Sequence, residues 1–275
     1  MENLTKQALI CSLLTALVLS SCPITMSENA HSEDEYTYDI NSKTGPDHWG
    51  ELKPEWNLCK KGSMQSPIDF SNDKVKKLTN LEELQINYKP SKAIIKNRGT
   101  DIKVEWKGKK SNIKINGTKY TLLQSHWHSP SEHAIDGTRL DLELHMVHQS
   151  PSGQLAVVGI MYRAGIADPF LSSLKEVLDA LSDKTGAERE VDELDPNVVM
   201  ERESAAFYYR YIGSLTSPPC SENVIWTVFR EVRSVSQDQI KLLQEAVEDH
   251  ASSNARPLQK LNNRLVQFND PGVKD

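Results

Sequence analysis

Five of the eight histidines in this chain of 275 residues fall between residues 126 and 148. They are His126, His128, His133, His145 and His148. Neutral imidazole rings bind transition metals near pH 7, and zinc is a common ion at such sites. A polar face of a β-sheet can also collect histidines, so their spacing has to distinguish between the two interpretations.

The spacing brings three of these histidines to one side of two predicted strands. Side chains alternate between the two faces of a β-strand, so Gln124, His126 and His128 point the same way. In the next strand, LDLELHMVH, the leucines and the methionine take one face, whereas Glu143 and His145 take the other. If the strands are antiparallel neighbours, His145 meets His126 and His128 across the pair. The pattern therefore predicts a zinc site.

The predicted site has three histidine ligands and no fourth protein ligand. Structural zinc sites usually have four protein ligands, whereas a catalytic site leaves one position open for water or substrate. Gln124 and Glu143 precede His126 and His145 by two residues on the same faces. We expect them to accept hydrogen bonds from the rings and to fix their tautomers.

The other two histidines of the cluster are predicted to be structural. His148 has the wrong parity for the site, and His133 follows SPSE, which interrupts the strand. The sequence contains neither HExxH nor CxxC, so other common zinc motifs are excluded.

Strand signals dominate the chain and predict a mainly β domain. Short alternating apolar runs such as AIIKN, DIKVEW, SNIKIN and TKYTLLQSHWH are separated by turn residues. Asn116-Gly117 suits a tight hairpin turn with positive φ angles, and with Thr118 it forms a glycosylation sequon. No repeat or Pro/Gly/Ser-rich linker follows the polar stretch that ends near Thr44, which predicts a single domain.

Two helices are predicted beside the strands. One begins near Asp168, and the other begins at a capping box formed by Ser236 and Gln239. Their apolar faces consist of Leu171, Leu174, Leu178 and Leu181 in the first helix and Ile240, Leu243 and Val247 in the second. Neither helix carries a chemical motif, so both are predicted to be packing elements.

The first residues predict a secreted protein. An early lysine, an apolar run from Ala8 to Leu19 and then small and polar residues form a signal peptide. We assign it to residues 1–21, with cleavage between residues 21 and 30; a lipoprotein signal that acylates Cys22 is a minor alternative. No later segment approaches the roughly 20 apolar residues of a membrane helix. We therefore expect the mature protein in the secretory pathway, either extracellular and apoplast-like or in an organelle reached through it.

The charge balance argues against nucleic-acid binding. Thirty-two basic and 38 acidic residues give a net charge of -6, and no long block of one sign occurs. Lysines gather around Trp106, which would suit a nucleic-acid patch or the solvated face of a hairpin, and we favour the second. They are Lys103, Lys107, Lys109, Lys110 and Lys114.

Cys59 and Cys220 are the two cysteines beyond the signal region. Two cysteines in an oxidising compartment predict one disulfide, with two separate buried thiols as the alternative. Closing so long a loop would stabilise the fold by at most about 5 kcal/mol in the chain-entropy model.

Six separated motifs carry a family resemblance. They are HWG, QSPIDF, QSHWHSPSEH, ELHMVH, GSLTSPPCSENVIW and NARPLQKLNNR. Together they resemble an alpha-class carbonic anhydrase of the secreted, plant-like type, in the order typical of that family. The similarity extends over residues 45–268, which we expect to be the catalytic domain. It implies a large, twisted, mostly antiparallel central sheet with a few short peripheral helices.

The resemblance also implies roles for individual residues, and the three predicted ligands match the family's zinc ligands. Thr216 matches a threonine that accepts a hydrogen bond from zinc-bound hydroxide and donates one to a buried carboxylate, here Glu132. This pair orients the nucleophile. His133 and Tyr211 match a buried hydrogen-bonded pair near the site.

The resemblance further implies a pocket beside the metal, with an apolar wall for carbon dioxide. The matching residues are Val147, Val157, Leu215, Val224 and Trp226, with Ser217 in the same pocket. Cys59 and Cys220 match the disulfide of extracellular members. Ser66-Pro67 and Pro218-Pro219 match positions of cis peptide bonds.

The implied reaction is the reversible hydration of carbon dioxide to bicarbonate and a proton by attack of zinc-bound hydroxide. The chain departs from the family at Thr100, where fast members carry a histidine that relays the proton to solvent. A threonine hydroxyl does not titrate near pH 7. His48 is the nearest substitute by family geometry, so we expect a slower enzyme whose turnover depends on buffer.

Alternatives to this function remain open. Some plant relatives are storage or binding proteins on the same fold, with weak hydratase or esterase activity. Loss of a ligand histidine or of the threonine would favour that role, and this chain keeps all of them. Ester hydrolysis would be a side activity.

The expected partners are Zn²⁺, carbon dioxide and bicarbonate. We expect no nucleic acid and no membrane span, and a monomer or dimer.

Overall fold

The computed structural model describes residues 35–78, 81, 84–200, 206–247 and 253–271. The predicted signal peptide and its cleavage region lie outside these residues, so that prediction stays untested. Within the described ranges, no helix combines the length and the apolar character needed to cross a membrane.

β-Strands dominate the described secondary structure, which confirms the mainly β prediction. The strands are β1 Asp69–Phe70, β2 Val75–Leu78, β3 Gln85–Asn87, β4 Ser91–Asn97, β5 Ile102–Trp106, β6 Asn112–Ile115, β7 Thr118–His128, β8 Ala134–Ile135, β9 Thr138–Arg139, β10 Leu142–Gln149, β11 Leu155–Ala164, β12 Glu188–Leu194, β13 Tyr208–Ser214, β14 Glu222–Val235 and β15 Val266–Asn269.

Twelve of these strands form one large sheet. Ten follow the order β12-β4-β5-β7-β10-β11-β14-β13-β15-β2, while β6 pairs with β7 and with β3. Only the β11–β14 and β15–β2 pairs of this sheet are parallel in the described residues. The predicted large and mostly antiparallel sheet is therefore confirmed. A separate small sheet has the order β1-β8-β9.

The helices are short and lie outside the sheet. They are α1 Trp49–Leu52, α2 Leu58–Lys61, α3 Pro169–Leu181 and α4 Gln237–Glu245, with 3-10 turns at Pro54–Trp56 and Pro196–Val199. The Asp168 side chain caps α3, and Ser236 and Gln239 form the predicted capping box of α4. The leucines predicted for α3, together with Ile240 and Leu243, are buried in the main core, and Val247 packs against it. Both packing helices are confirmed.

The large sheet separates two apolar clusters. The main core includes Trp127, Leu144 and Tyr208, whereas the smaller cluster includes Val147 and Trp226. A bulge in the β7–β10 ladder changes the register, because Val147 pairs with Gln124 but His148 pairs with Leu122. Because of the extra residue, Tyr120 and Leu122 point into the main core, whereas the even-numbered side chains after the bulge point to the opposite face of the sheet.

The turn between β6 and β7 has the predicted conformation. Asn116 and Gly117 both have positive φ, 49° and 73°, and both are exposed at the hairpin tip. The solvated lysine face is only partly as expected. Lys109, Lys110 and Lys114 are exposed. Lys103 is buried instead, because this part of β5 pairs with the buried second half of β7. Its ammonium group lies 3.8 Å from the Glu105 carboxylate.

The segment before α1 packs onto the domain. Tyr36 and Tyr38 precede residue 45, the predicted start of the domain, and both lie edge-on to Trp49 at 5.3 Å. Trp56 and the disulfide belong to the same cluster. The Ser66-Pro67 and Pro218-Pro219 peptide bonds are cis, as is Ser129-Pro130.

Candidate metal centre

β7 and β10 bring the three predicted ligands together. The strands are antiparallel neighbours, with His145 directly opposite His126 and Glu143 opposite His128. One ring nitrogen from each of the three histidines lies within 4.8 Å of the other two. The arrangement expected from strand alternation is therefore present.

Side-chain acceptors orient two of the rings. His126 donates from Nδ1 to Gln124 Oε1 at 2.8 Å, which leaves its Nε2 free to bind a metal. His145 donates from Nε2 to Glu143 Oε1 at 3.0 Å, which leaves its Nδ1 free. Gln124 and Glu143 thus accept hydrogen bonds from the rings that follow them by two residues, in the way strand alternation predicts.

The third ring is oriented by a residue that the sequence did not single out. His128 donates from Nδ1 to the backbone carbonyl of Asn254 at 2.7 Å. The Asn254 amide also donates to the carbonyls of Thr100 and Trp127, both at 3.0 Å. Asn254 lies in the NARPLQKLNNR motif, but no local pattern predicts a contact across 126 residues.

The donor set fits a zinc ion. His128 Nε2 is buried and has no hydrogen-bond partner among the described residues. Burial, together with the neighbouring histidines, holds the pKa of His126 well below its usual value, and burial also lowers the pKa of His145. These two rings are therefore neutral at pH 7, which is the state that coordinates a metal. Three imidazoles with one open position form a donor set of the catalytic type.

A buried hydrogen-bonded network lies behind His145. Glu143 accepts from the backbone N–H and from Nδ1 of His133, both at 2.8 Å, and from His145. Burial alone would raise the pKa of Glu143, but His133 and His145 outweigh it and hold this pKa well below its usual range. The Tyr211 hydroxyl lies 2.7 Å from His133 Nε2. His133 is therefore a partner of Glu143 rather than a candidate ligand.

His148 also lies outside the centre. It is fully buried on the other side of the sheet, where its Nε2 lies 2.8 Å from the Tyr88 hydroxyl. Burial lowers its pKa to about 3. It is a neutral core histidine, in agreement with its parity in the strand.

Glu132 reaches toward the ligand nitrogens. Its Oε2 lies 3.6 Å from His128 Nε2 and 3.8 Å from His145 Nδ1, and its Oε1 accepts from the Arg256 backbone N–H at 2.8 Å. Among the described residues, Oε2 has no hydrogen-bond partner. Thr216 is buried nearby, and its predicted bond to Glu132 stays a prediction, for which this oxygen is a free acceptor.

A pocket of about 440 Å³ opens beside the histidines. One wall is apolar, and Thr216, Ser217 and Thr100 are on the polar side. The apolar lining residues are Val147, Val157, Leu215 and Trp226. Val224 is buried in the same apolar cluster but does not line the pocket.

The two residues considered for proton transfer lie in different places. Thr100 lines the pocket. His48 precedes α1 on the surface, where its Nδ1 lies 3.1 Å from Glu51 Oε2, and it is absent from the lining residues. Tyr36 and Glu55 also line the pocket and were not predicted. Burial raises the pKa of Tyr36, so its phenol stays protonated near pH 7.

A disulfide joins Cys59 to Cys220, as predicted. Arg256, another residue that the sequence did not identify, ties this region to the centre. Its guanidinium donates to the carbonyls of Cys59 and Ser66, both at 2.8 Å, while its backbone N–H bonds Glu132. The bridge and Arg256 thus hold the segment before β1 against the pocket.

Comparison with known proteins identifies a family for this chain. The model of the eukaryotic-type carbonic anhydrase family matches residues 44–270. Alpha carbonic anhydrase 7 of Arabidopsis thaliana is 47% identical over 262 residues, which are 95% of this chain and 94% of that protein.

Solved structures have the same fold. A dioscorin complexed with ascorbate is 43% identical with a TM-score of 0.82, over 86% of this chain and 98% of that one. An alpha-carbonic anhydrase from Thermovibrio ammonificans, in complex with the inhibitor sulfanilamide, is 34% identical with a TM-score of 0.76. The match covers 84% of this chain and 98% of that one. With the family model covering most of its length, this chain belongs to the eukaryotic-type carbonic anhydrase family.

Proposed function

We propose that the protein catalyses the zinc-dependent, reversible hydration of carbon dioxide to bicarbonate and a proton. The observation that carries this proposal is the convergence of three histidine ring nitrogens beside apolar pocket-lining residues. His126 and His128 would bind zinc through Nε2, and His145 through Nδ1. Zinc supplies the Lewis acidity that lowers the pKa of a bound water, so that hydroxide is available near neutral pH.

The residues around the ligands hold them in their binding state. Gln124, Glu143 and the Asn254 carbonyl each accept the second ring N–H, so none of the three rings can turn without losing a buried hydrogen bond. Glu143 is itself fixed by His133. This arrangement supports a rigid site that is formed before the metal arrives.

Thr216 and Glu132 are proposed to orient the nucleophile. If the Thr216 hydroxyl donates to Glu132 Oε2, its own oxygen is left to accept a hydrogen bond and cannot donate one. Groups that carry a proton are then favoured at that position. The free Oε2 of Glu132 supports this proposal.

The pocket wall is proposed to hold carbon dioxide, which is apolar. Val147, Val157 and Trp226 offer apolar surface next to the histidines, and Leu215 extends it. Bicarbonate is charged and is poorly solvated against such a wall, which favours its release.

The proton is proposed to leave by way of dissolved buffer. Thr100 occupies the predicted relay position and does not titrate near pH 7. His48 lies away from the pocket, so it offers little support for an alternative relay. Turnover should therefore depend on buffer concentration.

A storage or binding role on the same fold is the second candidate function. Its support is the similarity to dioscorin, whose solved structure holds ascorbate. In that case weak hydratase or esterase activity would accompany the binding of a small ligand in the pocket.

We also propose that the protein follows the secretory pathway, with residues 1–21 as a signal peptide and 45–268 as the catalytic domain. The disulfide supports an oxidising compartment. The exposed tip at Asn116 supports glycosylation of its sequon.

The test is stopped-flow carbon dioxide hydration by the zinc-loaded mature protein across a series of buffer concentrations. We expect hydration whose kcat rises with buffer while kcat/KM stays constant. A protein with one equivalent of bound zinc and no hydration at any buffer concentration would favour the binding or storage role instead.

A further inference from the structure

Arg210 is a buried cation, and one edge of its guanidinium has no hydrogen-bond partner among the described residues. It lies on β13 and is only 8% exposed. Its Nε and Nη2 are buried, and neither has a hydrogen-bond partner in the part of the chain that the structure describes. Burying an unpaired charge is unfavourable, so such a group points to something that is bound there.

Other buried or half-buried arginines of this protein are paired. Arg98 uses Nε and Nη2, the same edge of the guanidinium, to hold both carboxylate oxygens of Asp101. Arg256 donates to three protein oxygens. At Arg210 this edge, with two parallel N–H groups, is free, and it has the geometry that binds a carboxylate in a bidentate manner.

Within the described part of the chain, no carboxylate fills this role. Burial lowers the pKa of Arg210, and the groups that oppose this effect are the hydroxyls of Tyr208 and Tyr120 rather than a carboxylate. The guanidinium lies over the Tyr208 ring, 4.9 Å from its centroid. The cation therefore has an aromatic neighbour and lacks an anionic one among the described residues.

Two further polar groups without partners lie on the neighbouring strands. Thr227 is directly opposite Arg210 on β14, and Asn269 is directly opposite Tyr208 on β15. Directly opposite residues share a face of the sheet. Thr227 Oγ1 and Asn269 Oδ1 are both buried, and in the described structure neither accepts or donates a hydrogen bond. The Thr227 hydroxyl therefore lies on the residue directly opposite Arg210, and the Asn269 amide oxygen lies on the residue opposite Tyr208, on the same face of the sheet.

This cluster is separate from the metal centre. Tyr208 belongs to the main core, whereas Tyr209 and Tyr211, which alternate with it on β13, belong to the cluster beside the histidines. Arg210 follows the parity of Tyr208, so it projects from the opposite face of the sheet. A ligand of Arg210 would not compete for the pocket.

We propose that Arg210 and Thr227 form a second anion site, which binds a small planar oxyanion through a carboxylate-type edge. The guanidinium edge donates two N–H groups to the two oxygens, and the Thr227 hydroxyl donates a third hydrogen bond. Asn269 Oδ1 can accept a hydrogen bond from the ligand, so an oxyanion with a hydroxyl group, such as bicarbonate, is favoured over one without. The site does not depend on the proposed function, although the product of that reaction has this chemistry.

The direct test is NMR of the arginine Nε–H groups in the zinc-loaded, ¹⁵N-labelled protein during titration with sodium bicarbonate, sodium formate and sodium chloride. The Arg210 resonance is assigned by its loss in Arg210→Lys. We expect it to shift and saturate with bicarbonate and formate, with tighter binding of bicarbonate, while the resonance of Arg264, whose Nε donates to the Leu261 carbonyl away from the pocket, stays in place. An Arg210 resonance that does not respond, or that responds equally to chloride, would overturn the proposal.

A thermal-shift measurement separates this site from anions bound at zinc. Arg210→Lys keeps the charge but loses the bidentate edge, and Thr227→Val loses the hydroxyl while keeping the shape. Because both variants keep the histidines, stabilisation by bicarbonate at the metal is common to all three proteins. We expect the wild type to gain an additional rise in Tm and to bind bicarbonate at least tenfold more tightly than either variant. Equal bicarbonate-dependent shifts in the three proteins would contradict a site at Arg210.

Discussion

Each histidine of the metal centre depends on an acceptor that takes its second ring N–H. Two acceptors are side chains on the same strands, and the third is a backbone carbonyl from a distant part of the chain. Side-chain acceptors can be changed without moving the backbone. They are therefore the residues at which the geometry of the site can be tested.

Glu143→Gln should weaken zinc binding by 10- to 100-fold, because an amide is a poorer acceptor for His145 and His133 than a carboxylate. Zinc affinity is measured by competition with a chromophoric chelator. Glu190→Gln, an exposed change on β12, is the matched control and should bind zinc like the wild type. Unchanged affinity in Glu143→Gln would mean that the hydrogen bond does not hold His145.

Thr100→His should raise kcat at low buffer concentration, since it adds a group that titrates near pH 7 to the lining of the pocket. kcat/KM should change little, because the proton leaves after the chemical step. His48→Gln is the control and should have wild-type kinetics at every buffer concentration. A marked fall in kcat for His48→Gln would restore the surface histidine as the relay.

His148 should make stability depend on pH below neutrality. Its pKa is about 3 in the folded protein against a reference of 6.5, so between these values only the unfolded chain binds the proton. The contribution of His148 to the free energy of unfolding is fully present above pH 6.5. Below that pH it decreases by about 1.4 kcal/mol per pH unit.

Urea unfolding at pH 7 and pH 5 tests this expectation. Between the two conditions the wild type should lose about 2 kcal/mol more than His148→Gln, whose amide can still reach the Tyr88 hydroxyl but does not titrate. Exposed His48→Gln should keep the wild-type pH slope. The same slope in His148→Gln would place the pH dependence elsewhere.

At the scale of elements, two features of β7 decide where the site forms. The bulge opposite Val147 and His148 turns the second half of the strand toward the smaller apolar cluster. The tight turn at Asn116 begins the same strand and leaves its tip exposed. The strand thus runs from an accessible hairpin to the buried histidines.

The hairpin tip gives a prediction about modification. When the chain is produced through a eukaryotic secretory pathway, Asn116 should carry a glycan, because an exposed sequon in a turn is accessible to the transferase. An N-glycosidase should lower the mass of the wild type and leave Asn116→Gln unchanged. Since the tip is exposed at the end of β7 that is remote from the histidines, zinc content should be equal with and without the glycan. A wild type whose mass does not change would mean that the sequon is not used.

At the scale of the whole molecule, the disulfide links residues 161 apart in the chain. It joins α2 to the segment that follows Thr216, and Arg256 bonds the Cys59 carbonyl from a third segment. Cys59→Ser/Cys220→Ser should therefore lower the free energy of unfolding by about 2 to 5 kcal/mol, through the entropy of the unfolded chain.

This effect is measured by denaturant unfolding with and without a reductant. The reductant should destabilise the wild type and leave the double serine variant unchanged. If the variant were as stable as the oxidised wild type, the bridge would contribute nothing to the fold.

Local patterns in the sequence determined the ligand histidines, their partners Gln124 and Glu143, both packing helices and the hairpin turn. Each of these depends on alternation along a strand, on the period of a helix, or on capping and turn residues, which act over a few positions. The disulfide between Cys59 and Cys220 was also predictable, although these residues are far apart in the chain, because two cysteines allow only one pairing.

Only the tertiary structure decided the contacts between distant segments. The carbonyl of Asn254 accepts a hydrogen bond from His128, 126 residues earlier in the chain. Lys103 is buried because β5 pairs with β7 within the sheet. The unpaired edge of Arg210 and the surface position of His48 likewise depend on which strands and helices pack together. Such contacts follow from the order of twelve strands in one sheet, and that order is fixed by burial of the two apolar clusters rather than by any short stretch of sequence.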